Sequence, residues 1–171
     1  MEIKNNPAVA FTGHRKERIL QGCGNNFGVL EQIRNVVAVR VRELYGQGYG
    51  VFYTGMANGF DMIAAEAVLQ VKDTYKDITL VAAVPFRKQP LWFDAEDQLL
   101  YKNLLKRMDR VVMLSENYYR GCYIRRDEYM VSKADTFLAY WDLVRKGGTF
   151  YTVSKAVEAG KSVINIYDCM K

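Results

Sequence analysis

The feature that most constrains this chain is a strict alternation of short, continuously apolar runs with longer amphipathic segments. The runs are Ala8–Thr12, Gly50–Thr54, Ile78–Val84, Arg110–Leu114, Thr136–Tyr140 and Ser162–Ile166. They lack the apolar–polar alternation of a half-exposed strand, so they read as strands covered on both faces. The segments between them have helical periodicity. In 28–47, Leu30, Ile33, Val37, Val41 and Leu44 share one face, and Gly46 and Gly48 supply the stop. Segment 60–75 repeats the scheme with Ile63, Ala64, Ala67, Val68 and Val71, and 92–108, 122–133 and 151–160 complete the set. Buried strands joined through helices require right-handed crossovers and a mainly parallel sheet with helices on both faces. The expected fold is therefore α/β, an open doubly wound sheet. The chain has 171 residues, below the roughly 250 a closed (β/α)8 barrel needs, and is expected to form a single domain spanning 1–171.

Composition excludes several classes. No run reaches the roughly 18 apolar residues of a membrane span, and the first seven residues do not have the pattern of a signal peptide, so a cytoplasmic protein is expected. Cys23, Cys122 and Cys169 are widely spaced and odd in number, which argues against a disulfide framework. With His14 as the only histidine, no His/Cys metal site is expected, and no cofactor is implied. The formal net charge is +5, a modest field that favours anionic ligands.

In doubly wound sheets, ligands bind beyond the carboxyl ends of the strands, and the unusual residues of this chain lie there. Thr12-Gly13-His14-Arg15 follows the first run. Gly55-Met56-Ala57-Asn58-Gly59-Phe60-Asp61 follows the second. Asp142 and then Gly147-Gly148-Thr149 follow the fifth. Gly55 and Gly59 let the backbone turn tightly and approach a ligand. A helix beginning at Phe60 would present amide N–H groups suited to phosphate, and Asp61 would either cap that helix or accept from a ribose or base. Gly147, Gly148 and Thr149 form a second turn of the same kind. Arg15 suits an anion, and His14 is either a general acid–base or a structural hydrogen-bonding group. Trp141 and Tyr140 are candidates for stacking on a base, with Tyr140, inside an apolar run, equally a candidate for the core, and Arg120, Arg125 and Arg126 for a basic rim or a solvated helix face.

These residues resemble the SLOG superfamily, in particular its YpsA-like branch. The resemblance is carried by Phe11-Thr12-Gly13-His14-Arg15, by the block from Gly55 to Glu66, and by Gly147-Gly148-Thr149 with the Ala156/Gly160 helix. It implies a Rossmann-like fold, a nucleotide or nucleotide-derived ligand, and binding roles for Gly55, Gly59, Asp61, Gly148 and Thr149. The superfamily also holds the DNA-processing protein DprA/Smf and the LOG phosphoribohydrolases. The catalytic glutamate of the LOG motif has no counterpart here, because Thr152 stands three residues past Thr149. The extra domains that flank the DprA core are not expected from these residues. Self-association is a further expectation from the resemblance.

Three functions follow as expectations. The first is binding of a nucleotide-derived small molecule through Thr12, Gly13, His14, Arg15, Gly55, Met56, Asn58, Gly59, Asp61, Asp142, Gly147, Gly148 and Thr149. The second is N-glycosidic hydrolysis, with Asp61, Glu66 or Asp142 as the carboxylate and His14 as a further candidate. The third is single-stranded nucleic-acid binding through the same turns and the arginine cluster. Whether any reaction is catalysed stays open at the level of sequence.

Overall fold

The computed structural model describes residues 7–170, with the side chains of Asp168 and Cys169 excepted. The first six residues, read above as no signal peptide, lie outside the described residues. Among the described residues, six strands form one all-parallel sheet: β1 (Ala8–Gly13), β2 (Val51–Thr54), β3 (Thr79–Val84), β4 (Arg110–Met113), β5 (Thr136–Tyr140) and β6 (Ser162–Asn165). The helices are α1 (Lys16–Gly22), α2 (Gly28–Gly46), α3 (Phe60–Lys72), α4 (Ala95–Lys106), α5 (Cys122–Lys133) and α6 (Gly148–Glu158). This is the open, doubly wound, Rossmann-like α/β fold that the alternation requires.

Strand order is β4-β3-β2-β1-β5-β6. The chain steps outward from β1 to β4, then returns to place β5 on the other side of β1. Right-handed crossovers in opposite directions put their helices on opposite faces. Accordingly α1 to α4 bury Ile19, Ile33, Val37, Val68 and Leu104 in one core with Val9, Phe11 and Phe52. The α5 and α6 residues Met130 and Ala156 pack on the other face with Ala10, Tyr53 and Phe137. The reversal leaves a gap between the connections that follow β1 and β5, at the sheet's carboxyl edge.

Three elements differ from what the sequence pattern implies. Helix α4 begins at Ala95 rather than Trp92, which belongs to a short 3-10 turn, Gln89–Trp92. Helix α1 leaves no periodic signal, because it buries only Ile19 and Leu20. Helix α6 begins at Gly148 rather than Tyr151, so Gly148 and Thr149 form its first turn instead of preceding it.

Candidate functional site

A cleft of about 350 Å³ opens where the strand order reverses. The first turn supplies Thr12, Gly13, His14 and Arg15, with Arg18 from α1. The second supplies Ala57 and Asp61, and the start of α6 supplies Gly148 and Thr149. Helix α5 closes the cleft with Tyr123, Arg126, Asp127 and Met130. Three sequence-distant turns thus meet in one hollow.

The register of β1 with β5 explains part of this. Gly13 pairs with Tyr140, so the turns after both strands leave the sheet side by side. The Asp142 backbone N–H donates to His14 Nε2 at 3.1 Å, and the Asp142 carboxylate lies at the same distance from that nitrogen. A neutral ring satisfies the first contact, since Nε2 must accept. Burial lowers the His14 pKa; the Asp142 charge pulls it up and the Arg18 charge pushes it down, with a net lowering. The net lowering and the Asp142 N–H contact favour the neutral ring with its proton on Nδ1, against the pull of the nearby carboxylate. As the only histidine, it gives one resolvable NMR signal. We expect that signal to titrate below 6.5 and to show the Nδ1–H tautomer; an Nε2–H tautomer at about pH 7.5, above the ordinary histidine pKa, would contradict this assignment.

Asp142 is held from the other side by Arg18. The guanidinium donates through Nε to Oδ2 at 3.0 Å and through Nη2 to Oδ1 at 3.0 Å, and the Val144 N–H donates to Oδ1. Burial alone would raise this carboxyl, but the hydrogen bonds from Arg18 and Val144, with the charges of His14 and Arg18, hold it below the ordinary carboxylate range. Asp142 orients Arg18 and His14, and Arg18, not Asp142, lines the cleft.

The second turn packs against the first so closely that only glycine fits at two points. A Cβ on Gly13 would overlap the Phe60 ring, and one on Gly59 would meet the backbone of His14, Arg15 and Lys16. Gly59 also has φ +104°. The Phe60 N–H donates to the His14 carbonyl at 3.1 Å. The first amide of α3 is thus spent on joining the two turns. Asn58 bridges them through its side chain, accepting from Arg15 Nη1 and donating to Glu17, both at 3.3 Å. Met56 is fully buried in the core. Gly55 lies beneath the Arg126 side chain, whose Nη1 donates to the Gly55 carbonyl at 2.8 Å. Gly55, Met56, Asn58 and Gly59 therefore shape the floor and position Arg15 and Arg126; Ala57 and Asp61 reach the cleft itself.

Asp61 is 5% exposed. It accepts from the Ala57 N–H at 3.3 Å, a bond back to the preceding turn rather than a cap on its own helix. Burial raises its pKa to about 6, against the charges of Arg126 and Arg15 and the Ala57 hydrogen bond. A buried, perturbed carboxylate facing a cleft is the pattern functional groups often show.

Arg126 is also buried, and donates from Nε to Asp127 at 2.8 Å. Both its guanidinium and that of Arg15 lie over the Tyr123 ring, 5.6 and 5.4 Å from the centroid. At the opposite wall, α6 begins after Gly147, which has φ +96° and makes no side-chain cap. The first-turn N–H groups of α6 have no partner within the helix and Gly148 and Thr149 border the hollow, so this is the helix end suited to an anion.

Several residues that the sequence pattern singles out sit elsewhere. Tyr140 takes its core alternative, buried against Phe60. Trp141 stacks on Phe150 and donates to the Val144 carbonyl. Arg120 and Arg125 are exposed; Arg126 is a cleft residue rather than part of a rim. Glu66 lies in a separate groove of about 580 Å³ lined from α2, α3 and α4, 3.7 Å from Arg34. Sequence reasoning misses Arg18, because it misses the helix that carries it. It also misses Tyr123, Arg126, Asp127 and Met130 as a set, although their i, i+3, i+4, i+7 spacing marks one helix face. Cys23 and Cys122 are free thiols. Among the described residues no group of three or more His, Cys, Asp or Glu side chains is arranged to hold a metal, and no helix is long and apolar enough to cross a membrane.

Comparison with known proteins agrees with this architecture. The chain is similar to UPF0398 protein BH1768 of Halalkalibacterium halodurans, 25% identical over 150 residues that cover 86% of this chain and 79% of the relative. It is also similar to a UPF0398 protein of Bacillus thuringiensis strain Al Hakam, 25% identical over 105 residues that cover 60% of this chain and 57% of that protein. Among solved structures it resembles DNA processing protein A (DprA) from Streptococcus pneumoniae, with a TM-score of 0.60 and 16% identity over 92% of this chain and 49% of that one. A Helicobacter pylori DprA structure, described by its single-stranded DNA binding mode, gives a TM-score of 0.61 and 17% identity over 92% of this chain and 64% of that one. At those identities the likeness concerns the fold. The family profile described as YspA SLOG family matches residues 9–169, and on that match the chain belongs to the YspA SLOG family.

Proposed function

We propose that the cleft binds the phosphate of a nucleotide, free or within a strand, in a cytoplasmic protein. The observation that carries this reading is the meeting of the uncapped α6 terminus with Arg15, Arg18 and Arg126 in one hollow. Arg18 is engaged by Asp142 and Arg126 by Asp127 and Gly55, whereas Arg15 donates to the neutral Asn58 amide at 3.3 Å, so Arg15 and the α6 amides are the primary phosphate contacts. Thr12 and Thr149, both buried, line the cleft and bring hydroxyl donors to it. Asp61 then accepts from a ribose hydroxyl or a base N–H on the same ligand.

Nucleotide N-glycosidic hydrolysis gains less support. Asp142 is held by Arg18, Glu66 lies in another groove, and Asp127, the second carboxylate of the cleft, is held as an anion by Arg126, so among the described residues Asp61 has no protonated acid beside it for leaving-group protonation. A strand as the ligand is favoured by one external observation, that a fold neighbour is described by single-stranded DNA binding.

The test is a thermal-shift panel of nucleoside mono- and diphosphates, inorganic phosphate and a short oligonucleotide, run on the wild type and on Arg15→Ala. A ligand at a hundredfold excess over its dissociation constant should stabilise the wild type by about 2.7 kcal/mol. Arg15→Ala should weaken binding about 10- to 100-fold, the worth of a charge-assisted hydrogen bond. No shift with any phosphate-bearing ligand would end this reading.

A further inference from the structure

The cleft does not stop at Tyr123. That ring is 6.4 Å from Tyr118, centroid to centroid, and Tyr118 is 5.7 Å from Trp92. Beneath them sits Phe86, fully buried, 5.5 Å from Tyr118, 5.9 Å from Tyr123 and 6.3 Å from Trp92. Tyr118 is 52% and Trp92 72% exposed. The result is an aromatic shelf that begins in the cleft and runs outward along the same carboxyl edge of the sheet, over the loops that follow β3 and β4.

The shelf is fixed in place. The Arg87 N–H donates to the Ser115 carbonyl at 3.1 Å, joining the two loops. The Arg87 guanidinium forks onto Glu116 at 2.7 Å. Arg125 donates to the Leu114 carbonyl at 2.9 Å and to the Tyr119 hydroxyl. Exposed aromatic rings on a braced support are not what packing alone would leave in water. The two loops also carry Arg87, Lys88 and Arg120 against Glu116, which Arg87 pairs, and Asp94, which Lys16 pairs, so Lys88 and Arg120 edge the π-faces with positive charge.

Aromatic faces edged by cations, continuous with a phosphate-suited hollow, are the elements of a single-strand binding track. We propose that the ligand is a single-stranded oligonucleotide, with one phosphate in the cleft and the following bases stacked on Tyr118 and Trp92. This rests on the phosphate-binding reading above and extends it from a mononucleotide to a strand. Recognition by stacking is tolerant of base identity, because every base offers a π-face. Neutralised phosphates make the binding weaken as salt rises.

The experiment compares thymidine monophosphate with 5′-phosphorylated dT and rU tetramers, by tryptophan fluorescence and competition anisotropy. It uses the full chain carrying Trp141→Phe, so that Trp92 is the only tryptophan left. We expect the tetramer to bind at least tenfold more tightly than the monophosphate, and to quench Trp92 while the monophosphate does not. Trp92→Ala and Tyr118→Ala, each at an exposed position, should lose about 5- to 100-fold of tetramer affinity per lost stack and leave monophosphate affinity unchanged. Tighter binding of either tetramer supports the strand, and the difference between them tells which sugar is preferred. Equal affinities for monophosphate and tetramer, or a tetramer advantage that survives both substitutions, overturns the shelf while the cleft reading stands. Failure of every phosphate-bearing ligand removes the cleft reading as well. If Trp92→Ala instead lowers the sedimentation mass with tetramer affinity intact, the shelf is a contact between copies and the proposal falls.

Discussion

Replacing Gly59 by alanine is expected to destabilise the protein by about 3–5 kcal/mol, which combines roughly 1–3 kcal/mol of backbone strain with the cost of overpacking. Gly59 has φ +104° and ψ −128°, a region open essentially to glycine alone. An alanine Cβ would also stand 2.5 Å from Lys16 N and 2.7 Å from the His14 carbonyl oxygen and the Arg15 carbonyl carbon. These are backbone atoms at the start of α1, so no rotamer change relieves the contact. Relief requires the first and second turns to separate, which would break the Phe60 N–H to His14 carbonyl bond and move Arg15 from Asn58. At roughly 2–4 °C per kcal/mol for a chain of this size, the melting temperature should fall by about 10 °C. Urea unfolding of wild type and variant measures this directly, and a loss under about 1 kcal/mol, below the strain alone, would mean that the two turns are not locked as described.

Asp61→Asn should act in the opposite direction. The carboxyl has a pKa of about 6 in the folded protein, against an ordinary value of 3.8. Between those values the folded state binds more protons than the unfolded state, so stability falls as pH rises through that window. Above about pH 6 the ionised carboxylate carries the full penalty, which the separation of the two values puts at about 3 kcal/mol. Asparagine keeps the shape without the charge. We therefore expect the variant to be about 3 kcal/mol more stable than wild type at about pH 8, with the gap closing near about pH 4. Urea midpoints at the two pH values test this, and a variant less stable than wild type at the higher pH would refute it. Nucleotide affinity should fall in the same variant if Asp61 accepts from the ligand. A gain in stability together with a loss of binding would show that the charge is kept for function.

The alternation of apolar runs and amphipathic segments was enough to determine a parallel, doubly wound sheet, because a strand covered on both faces can be completed only by crossover helices. The glycine turns after β1, β2 and β5 were legible for the same reason: backbone geometry at Gly13, Gly59 and Gly147 admits few residues, and sequence records that restriction locally. What the sequence left open was the division of labour among those turns. Gly59 and Asn58 look like ligand contacts by composition, yet they fasten one turn to another, because β1 and β2 are neighbours in the sheet. Arg18 and Arg126 look like surface charges, yet they line the cleft, because α1 and α5 approach it from opposite faces. His14 and Asp142 are 128 positions apart, and only the register of β1 with β5 brings them together. Local restrictions on the backbone are written residue by residue. Partnership between distant side chains depends on strand order and register, and these emerge only when the whole sheet is assembled.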